Sequence, residues 1–211
     1  MKRFRFTLTA VCLVLIWLGW ADVSLFLRNR APQTITAAAL VENGPPREWL
    51  HVTGGHLDLL EGISTSGSLE LEAFLIPLRL SPGVQPIDIL VETRDPQIIK
   101  RLQDYYFTFD SETEQRAYLE AHAEDFRGQR DITGMLVGGL VASGNKDKLL
   151  KLAREEGLDI SENIIFLSAR KEPARIRGFF FLGLGLLGLL KVGSMWRNAG
   201  KDATPETENP L

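Results

Sequence analysis

Three glycines near the end of the chain have the spacing of a phosphate-binding loop. Residues 183–188 read GLGLLG, so Gly183, Gly185 and Gly188 match the G-x-G-x-x-G pattern whose backbone N–H groups bind a dinucleotide. That loop needs a strand before it, a second strand after its helix and an acidic residue about 20 positions later. The chain after Gly188 is too short for a βαβ unit, and no polar residue lies between the glycines. The sequence therefore predicts neither a nucleotide site nor a bound cofactor.

The histidines and a nearby carboxylate offer a second kind of chemistry. His51, His56 and Asp58 follow one another closely, while His122 lies in a predicted helix. No two histidines have the i,i+4 helical spacing or the i,i+2 strand spacing that brings two zinc ligands to one face, so no metal site is predicted. A hydrolase or transferase of the cell envelope, with His51, His56 and Asp58 converging in a cleft, is the alternative function that these residues leave open.

The other nucleophiles favour no enzyme class. Ser64, Ser66 and Ser68 lack the glycine-flanked turn that exposes a catalytic serine. The one cysteine, Cys12, lies in an apolar segment, so the rest of the chain holds no disulfide and no cysteine nucleophile. The net charge of −3 indicates no basic surface for nucleic acid. We therefore predict a non-enzymatic protein that does not bind nucleic acid.

The elements that hold these residues begin with an apolar segment over residues 6–27. A bilayer-spanning helix needs about 20 apolar residues, which this segment supplies. The basic residues that bound it are Lys2, Arg3, Arg5, Arg28 and Arg30. Its length favours an uncleaved signal anchor, with Asp22 at the outer interface. A secretory signal cleaved after Gly19-Trp20-Ala21 is the alternative.

A second apolar segment covers residues 178–196, with basic residues at both ends and a tryptophan where an interfacial aromatic is expected. Lys191 interrupts it, but a lysine near a helix end can extend its ammonium group to the lipid headgroups. Gly178, Gly185 and Gly188 fall on one side of the predicted helix and form a stripe for close packing against another helix. A transmembrane span is therefore predicted, and a buried helix of a soluble core is the alternative.

The distribution of basic residues predicts a two-pass topology in the cell membrane. The outer flanks of the two segments carry slightly more Lys and Arg than the inner flanks, and cytoplasmic flanks are the more basic ones. Residues 1–5 and the disordered tail 197–211 are therefore predicted to be cytoplasmic, and residues 31–176 to form one extracytoplasmic domain. Besides the lipid bilayer, the predicted partner is another membrane protein or a second copy of this chain.

Strand and helix signals are interspersed over residues 31–176, which predicts an α+β domain. Caps at Asp95 and Ser111 begin two helices, and Pro77 within an apolar run indicates an edge strand or a bulge. The segments WLHVTGGHLDLL and RDITGMLVGGLV share a Thr-Gly step that suits a strongly bent strand. We expect two transmembrane helices flanking a small curled antiparallel sheet or OB-like barrel with interspersed helices.

The order of anchor, outer β-rich domain and second anchor resembles two families. The segments LGW (18–20), WLHVTGGHLDL (49–59) and IPLRLSPGVQPIDILVET (76–93) are similar to the Surfeit-locus family of cytochrome oxidase assembly proteins, although residues 92–95 read ETRD where that family has Asn-Arg-Gly-Trp. The layout also resembles the outer domain of membrane-anchored ubiquitin ligases of the GIDE type, without their RING. The resemblance implies an accessory or assembly factor for a membrane protein complex and no catalytic residue.

Overall fold

The computed structural model describes residues 2–64, 73–109, 111–137, 150–151 and 153–201. The chain divides into two units, one made of Met1–Arg30 with Pro173–Leu211 and the other of Ala31–Glu172. We refer to the first unit as the helix pair and to the second as the sheet domain.

Two long helices make up the helix pair, whereas short strands and helices are interspersed in the sheet domain, where residues 150, 151 and 153–155 are also helical. In chain order the elements are α1 (Lys2–Arg28), β1 (Gln33–Thr36), α2 (Ala37–Asn43), β2 (Trp49–Thr53), β3 (His56–Leu57), a 3₁₀ turn (Leu59–Glu61), β4 (Ile63–Ser64), β5 (Phe74–Arg79), β6 (Ile87–Thr93), α3 (Pro96–Phe107), α4 (Glu112–Ala121), α5 (Ala123–Arg127), β7 (Ile132–Leu136), β8 (Ile160–Ala169) and α6 (Ile176–Lys201).

The helix pair is formed by α1 and α6, which contain the two predicted apolar segments. The helices run antiparallel, because Phe6 packs edge-on against Trp196 and Phe26 packs edge-on against Phe179. The stretches Phe6–Arg28 and Ile176–Arg197 are long and apolar enough to cross a membrane. At 1.5 Å per residue, the 23 residues of the first stretch are roughly 34 Å long, slightly more than the hydrocarbon core of a bilayer.

The sheet domain is an α+β unit built on one open, eight-stranded mixed sheet. The strand order is β1-β2-β7-β8-β6-β5-β3, with β4 also paired to β5. Among the described residues five strand pairings are antiparallel, whereas β1 with β2 and β6 with β8 are parallel. The expectation of an antiparallel sheet was therefore wrong for these two pairs. Intervening helices allow the chain to cross over and enter the neighbouring strand in the same direction. The order has two ends, β1 and β3, and does not by itself give a closed OB-like barrel.

Both predicted helix caps are present. The Asp95 carboxylate accepts the Gln97 N–H at 3.0 Å, and Pro96 occupies the first turn of α3, where its missing donor costs nothing. The Ser111 hydroxyl accepts the Glu114 N–H at 3.2 Å and so begins α4.

Pro77 lies inside the sheet and not on an edge strand. β5 pairs with β6 on one side and with β3 and β4 on the other. The Pro77 carbonyl accepts the Asp58 N–H at 3.0 Å, so its nitrogen faces the interval between β3 and β4. The 3₁₀ turn interrupts the ladder there, and the missing N–H is therefore tolerated in an inner strand.

The central strands are apolar on both faces because both faces are covered. On β6, Ile89 and Val91 belong to a core shared with α2, α3 and α5, whereas Ile87 and Leu90 belong to a second core that includes Ala153. This arrangement explains why β5 and β6 read as nearly continuous apolar runs instead of alternating ones. The edge of the sheet where β6 and β8 end carries the polar residues described below.

Candidate functional site

Gly178, Gly185 and Gly188 lie on the side of α6 that contacts α1. A Cβ atom at Gly185 would lie 2.6 Å from Ile16 Cγ1 and 2.9 Å from the Cys12 carbonyl oxygen, and one at Gly188 would overlap the Cys12 sulfur. These separations are shorter than van der Waals contact, so only glycine allows this approach. The glycines of the G-x-G-x-x-G pattern, Gly183, Gly185 and Gly188, lie inside a continuous helix that begins at Ile176 and not in a loop between a strand and a helix, which removes the context of a phosphate-binding loop.

α1 contributes a glycine of its own, Gly19. A Cβ atom there would lie 2.5 Å from Leu182 N and 2.8 Å from Gly178 O, and a Cβ at Gly178 would lie 2.7 Å from Asp22 Cβ. The backbones of α1 and α6 are therefore in direct contact at Gly19 and Gly178. In the sequence Gly19 is a small residue within a run of bulky ones, which could have indicated close packing. Because a small residue at this place also suits a signal cleavage site, the sequence did not assign Gly19 to helix packing.

The other described glycines of α6 are different. A Cβ atom at Gly183 or Gly193 would have no neighbour within 4 Å among the described residues. The close contact is therefore specific to one side of α6. Gly183 provides a natural control for any substitution at Gly185.

Asp22 and Arg177 connect the two helices by a two-pronged ion pair. Arg177 Nε donates to Asp22 Oδ2 at 2.7 Å, and Arg177 Nη2 donates to Oδ1 at 2.9 Å. The Asp22 side chain is 17% exposed and that of Arg177 is 63% exposed. Because both carboxylate oxygens are engaged, the pair fixes how the helices are rotated against each other.

The outward faces of α1 and α6 carry large apolar side chains. Trp17 is 67% exposed and Leu190 is 71% exposed. Others that are at least half exposed are Phe6, Leu13, Val14, Trp20, Ile176, Phe179, Phe180, Leu187 and Trp196. Only 17% of the most apolar window of each helix is buried, whereas a helix in the core of a soluble protein is mostly buried. An apolar surface of this extent is typical of an interaction with lipid or with another protein.

His51 lies apart from His56 and Asp58, which are both in contact with Arg127. β2 carries His51 and β3 carries His56, and the two strands pair with different neighbours in the sheet. His51 Nδ1 lies 2.7 Å from Thr133 Oγ1, while His56 Nδ1 lies 3.4 Å from the Arg127 carbonyl oxygen. Within the described part of the chain no hydrogen bond or ion pair joins any two of the three. The described residues therefore do not show these three side chains bonded to one another as a catalytic group.

Asp58 instead belongs to a group of charges around a buried arginine. Arg79 is 3% exposed and donates to the Glu61 carboxylate, and its Nε lies 3.9 Å from Asp58 Oδ2. Burial raises the pKa of Asp58, and repulsion from Glu61 raises it further, whereas Arg127 and Arg79 act in the opposite direction. The cluster connects the 3₁₀ turn to β5 and to α5, which is a structural role.

The remaining sequence candidates that the structure describes form no metal site. Ser64 ends β4, and Ser66 and Ser68 lie outside the described residues. The described residues contain no group of three or more His, Cys, Asp or Glu side chains that could hold a metal ion.

Two neighbouring clefts of the sheet domain have Ile98 and Arg130 in common in their linings. One, of about 370 Å³, lies where β6 and β8 end, and the other, of about 410 Å³, runs along α3. Sequence reasoning missed both clefts, because their charged residues come from segments far apart in the chain. The capped start of α3 was the one sequence signal near them.

In comparisons with known proteins, no family model, no curated protein and no solved structure matches the chain.

Proposed function

We propose that the chain is a two-pass protein of the cell membrane, in which α1 and α6 are the spans and residues 31–176 form an extracytoplasmic domain. It acts as a non-enzymatic accessory or assembly factor for a membrane protein complex. The observation that carries the proposal is the helix pair, with glycines inside and large apolar side chains outside. Water disfavours such a surface, whereas lipid chains solvate it as well as a protein interior would.

The inner contacts of the helix pair suit the same environment. In a bilayer, helices associate through close packing and polar contacts and not through the hydrophobic effect. Gly19 and Gly178 supply the close approach, and Asp22 with Arg177 supplies a paired charge. An aspartate within a span is expensive unless it is paired, so the ion pair removes the main objection to placing α1 in lipid.

The accessory role also rests on the likeness in layout to the Surfeit-locus assembly proteins. Because α1 already occupies the glycine stripe, a partner in the bilayer meets the outward faces of the two helices. In this proposal a second copy of the chain is the other candidate for that contact.

Topology is tested by labelling cysteines in intact cells with a membrane-impermeant maleimide. We expect E112C, on the exposed side of α4, to be labelled without permeabilisation and R197C only after it. The native Cys12 is buried against α6 and serves as the unlabelled background. Labelling of R197C in intact cells, or protection of E112C, would contradict the proposed orientation.

Partner binding is tested by placing a photo-crosslinking amino acid at Leu187, which points outward, and at Val192, which is buried in the helix pair. The Leu187 probe should give an adduct with a different membrane protein, identified by mass spectrometry. The Val192 probe should react only within the chain. If the Leu187 probe reaches lipid alone, the accessory function is wrong, although the two-pass topology stands. An adduct with a second copy would replace the accessory role with self-association.

A further inference from the structure

The cleft of about 370 Å³ lies at the edge of the sheet where parallel strands β6 and β8 end and β7 begins. Thr93 and Ala169 are the last residues of β6 and β8, and Ile132 is the first residue of β7. In open sheets with helical crossovers, ligands bind in the crevice outside the carboxyl ends of the strands, because the crossovers there leave a gap.

The acidic groups of the cleft are already engaged. Asp95 accepts the Gln97 N–H and pairs with Arg170 Nη2 at 2.9 Å. The Asp131 carboxylate accepts the Gly54 N–H at 3.4 Å and lies 4.0 Å from His51 Nε2. The charges of Asp95 and Asp131 are therefore partly balanced by fixed donors of the sheet domain, and Glu172, the third acidic residue of the lining, also has an interaction of its own.

Two cationic groups of the cleft have N–H donors that the described residues do not use. The Arg130 guanidinium is about one-third exposed and, within the part of the chain that the structure describes, has a single ion pair, with Asp125 at the long separation of 3.9 Å. The Lys171 ammonium has no partner among the described residues, although its backbone N–H donates to Ser168 O. Arg130 and Lys171 therefore have N–H donors available to an anion, next to the apolar side chains of Ile98 and Ile132.

Arg170 shapes the wall between these groups. Its φ of +60° is the one positive value at a non-glycine residue in the described chain, and such a conformation costs about 1 kcal/mol or more. The turn is held by the Arg170 N–H bond to Thr133 O at 2.8 Å and by the ion pair with Asp95. Lys171, the next residue, lines the cleft, and the ion pair balances the charge of Asp95.

We propose that this cleft binds a small organic anion, a carboxylate or a phosphate monoester with an apolar group. Arg130 and Lys171 bind the acidic group, and the apolar group contacts Ile98 and Ile132. The volume of about 370 Å³ suits a molecule of the size of an aromatic acid. This site is independent of the membrane proposal, because all of its residues belong to the sheet domain.

Four probes of similar shape test the proposal on the full chain in nanodiscs: benzoate, phenyl phosphate, benzyl alcohol and benzylamine. Binding is followed by calorimetry against empty nanodiscs. We expect benzoate or phenyl phosphate to bind, and their relative affinities to distinguish a carboxylate site from a phosphate site. The alcohol and the amine should bind at least about 10-fold more weakly, since a hydrogen bond to a charged group contributes about 1.5–3 kcal/mol.

The variants are R130Q and K171Q, with R116Q as the matched control, because Arg116 is an exposed arginine on α4 that pairs with Glu112. R130Q should weaken anion binding about 10-fold or more, R116Q should not change it, and R130K should retain part of it. Circular dichroism confirms that each variant is folded. Equal binding by wild type and R130Q, equal binding of benzoate and benzylamine, or no binding of any probe would each overturn the proposal.

Discussion

The sheet domain buries its large apolar residues, whereas the helix pair exposes them. In the sheet domain Leu50, Ile76 and Leu90 are fully buried and covered by helices. In the helix pair the contact surface is made of glycines with Cys12 and Val23, while tryptophans and leucines face outward. Removal of apolar area from water stabilises the sheet domain. In the proposed membrane location, close backbone approach stabilises the helix pair instead.

The composition of α6 supports the same distinction. Each interior glycine makes a helix about 1 kcal/mol less stable than alanine does in water, and α6 contains several. In lipid, by contrast, every backbone N–H and C=O must be bonded within the segment, so a helix tolerates glycine. Substitutions in each unit therefore test whether the contrast is real.

The largest expected effect is in the interior of the sheet domain. L90A should lower the free energy of unfolding by about 2–5 kcal/mol, because it leaves a cavity between β6 and its covering residues. L187A, on the outer face of α6, should change it by less than about 0.5 kcal/mol in nanodiscs. Urea unfolding of the full chain followed by far-ultraviolet circular dichroism measures both. Equal losses would remove the contrast between the units.

The next effect is at the glycine contact. G185L should separate α1 from α6 at a cost of about 1–3 kcal/mol, whereas G183L, which has open space around it, should not. Cys12 reports the result directly, because it is buried in the contact. Its rate of alkylation in detergent should rise about 5- to 100-fold in G185L and stay at the wild-type value in G183L. Similar rates in the two variants would show that the glycine side of α6 is not special.

A smaller effect is expected at the ion pair. A double-mutant cycle with D22N and R177Q should give a coupling energy of up to about 1 kcal/mol, because Arg177 is largely exposed. The same alkylation of Cys12 measures it. If the two single effects add without coupling, Asp22 and Arg177 do not hold the helices together.

The smallest effect concerns the pH dependence of the sheet domain. Burial raises the pKa of Asp58 above its ordinary value of 3.8, so the folded state binds the proton more tightly than the unfolded state. Stability from this group is present below that ordinary value and is lost as pH rises through the folded pKa. The urea midpoint of the wild type should therefore fall relative to that of D58N as pH increases from about 3.8 upward. A pH slope unchanged in D58N would show that Asp58 is not the group responsible.

Local signals in the sequence predicted local structure well. The apolar parts of α1 and α6 follow from runs of apolar residues, and the starts of α3 and α4 follow from Asp95 and Ser111. The prediction of a disordered tail from residue 197 was wrong for residues 197–201, which continue α6 because a helix extends past its apolar segment. The parallel pair of β6 and β8 could not be predicted, because it depends on where the chain returns after α3, α4, α5, β7 and the helical residues around 153. The inner position of Pro77 depends in the same way on the interruption between β3 and β4.

Contacts between distant positions could not be predicted for the candidate sites either. The glycine stripe of α6 was visible as a periodic pattern, but its partner residue Gly19 was not, since helix–helix register is set in three dimensions. Arg130 and Lys171 line one cleft although they are far apart in the chain, and no spacing rule connects them. His51 is close in sequence to His56 and Asp58 and yet pairs with a different strand, whereas His56 and Asp58 both contact Arg127.

The ion pair between Asp22 and Arg177 joins positions 155 residues apart. A ribosome adds about 5–20 residues per second, so Asp22 is made roughly 8–30 s before its partner. During that interval Asp22 has no guanidinium to pair with, and Gly19 is not yet covered by α6. The order of synthesis therefore places α6 after α1 and after the sheet domain. A chain released before α6 is made keeps a complete first helix with an unmatched charge.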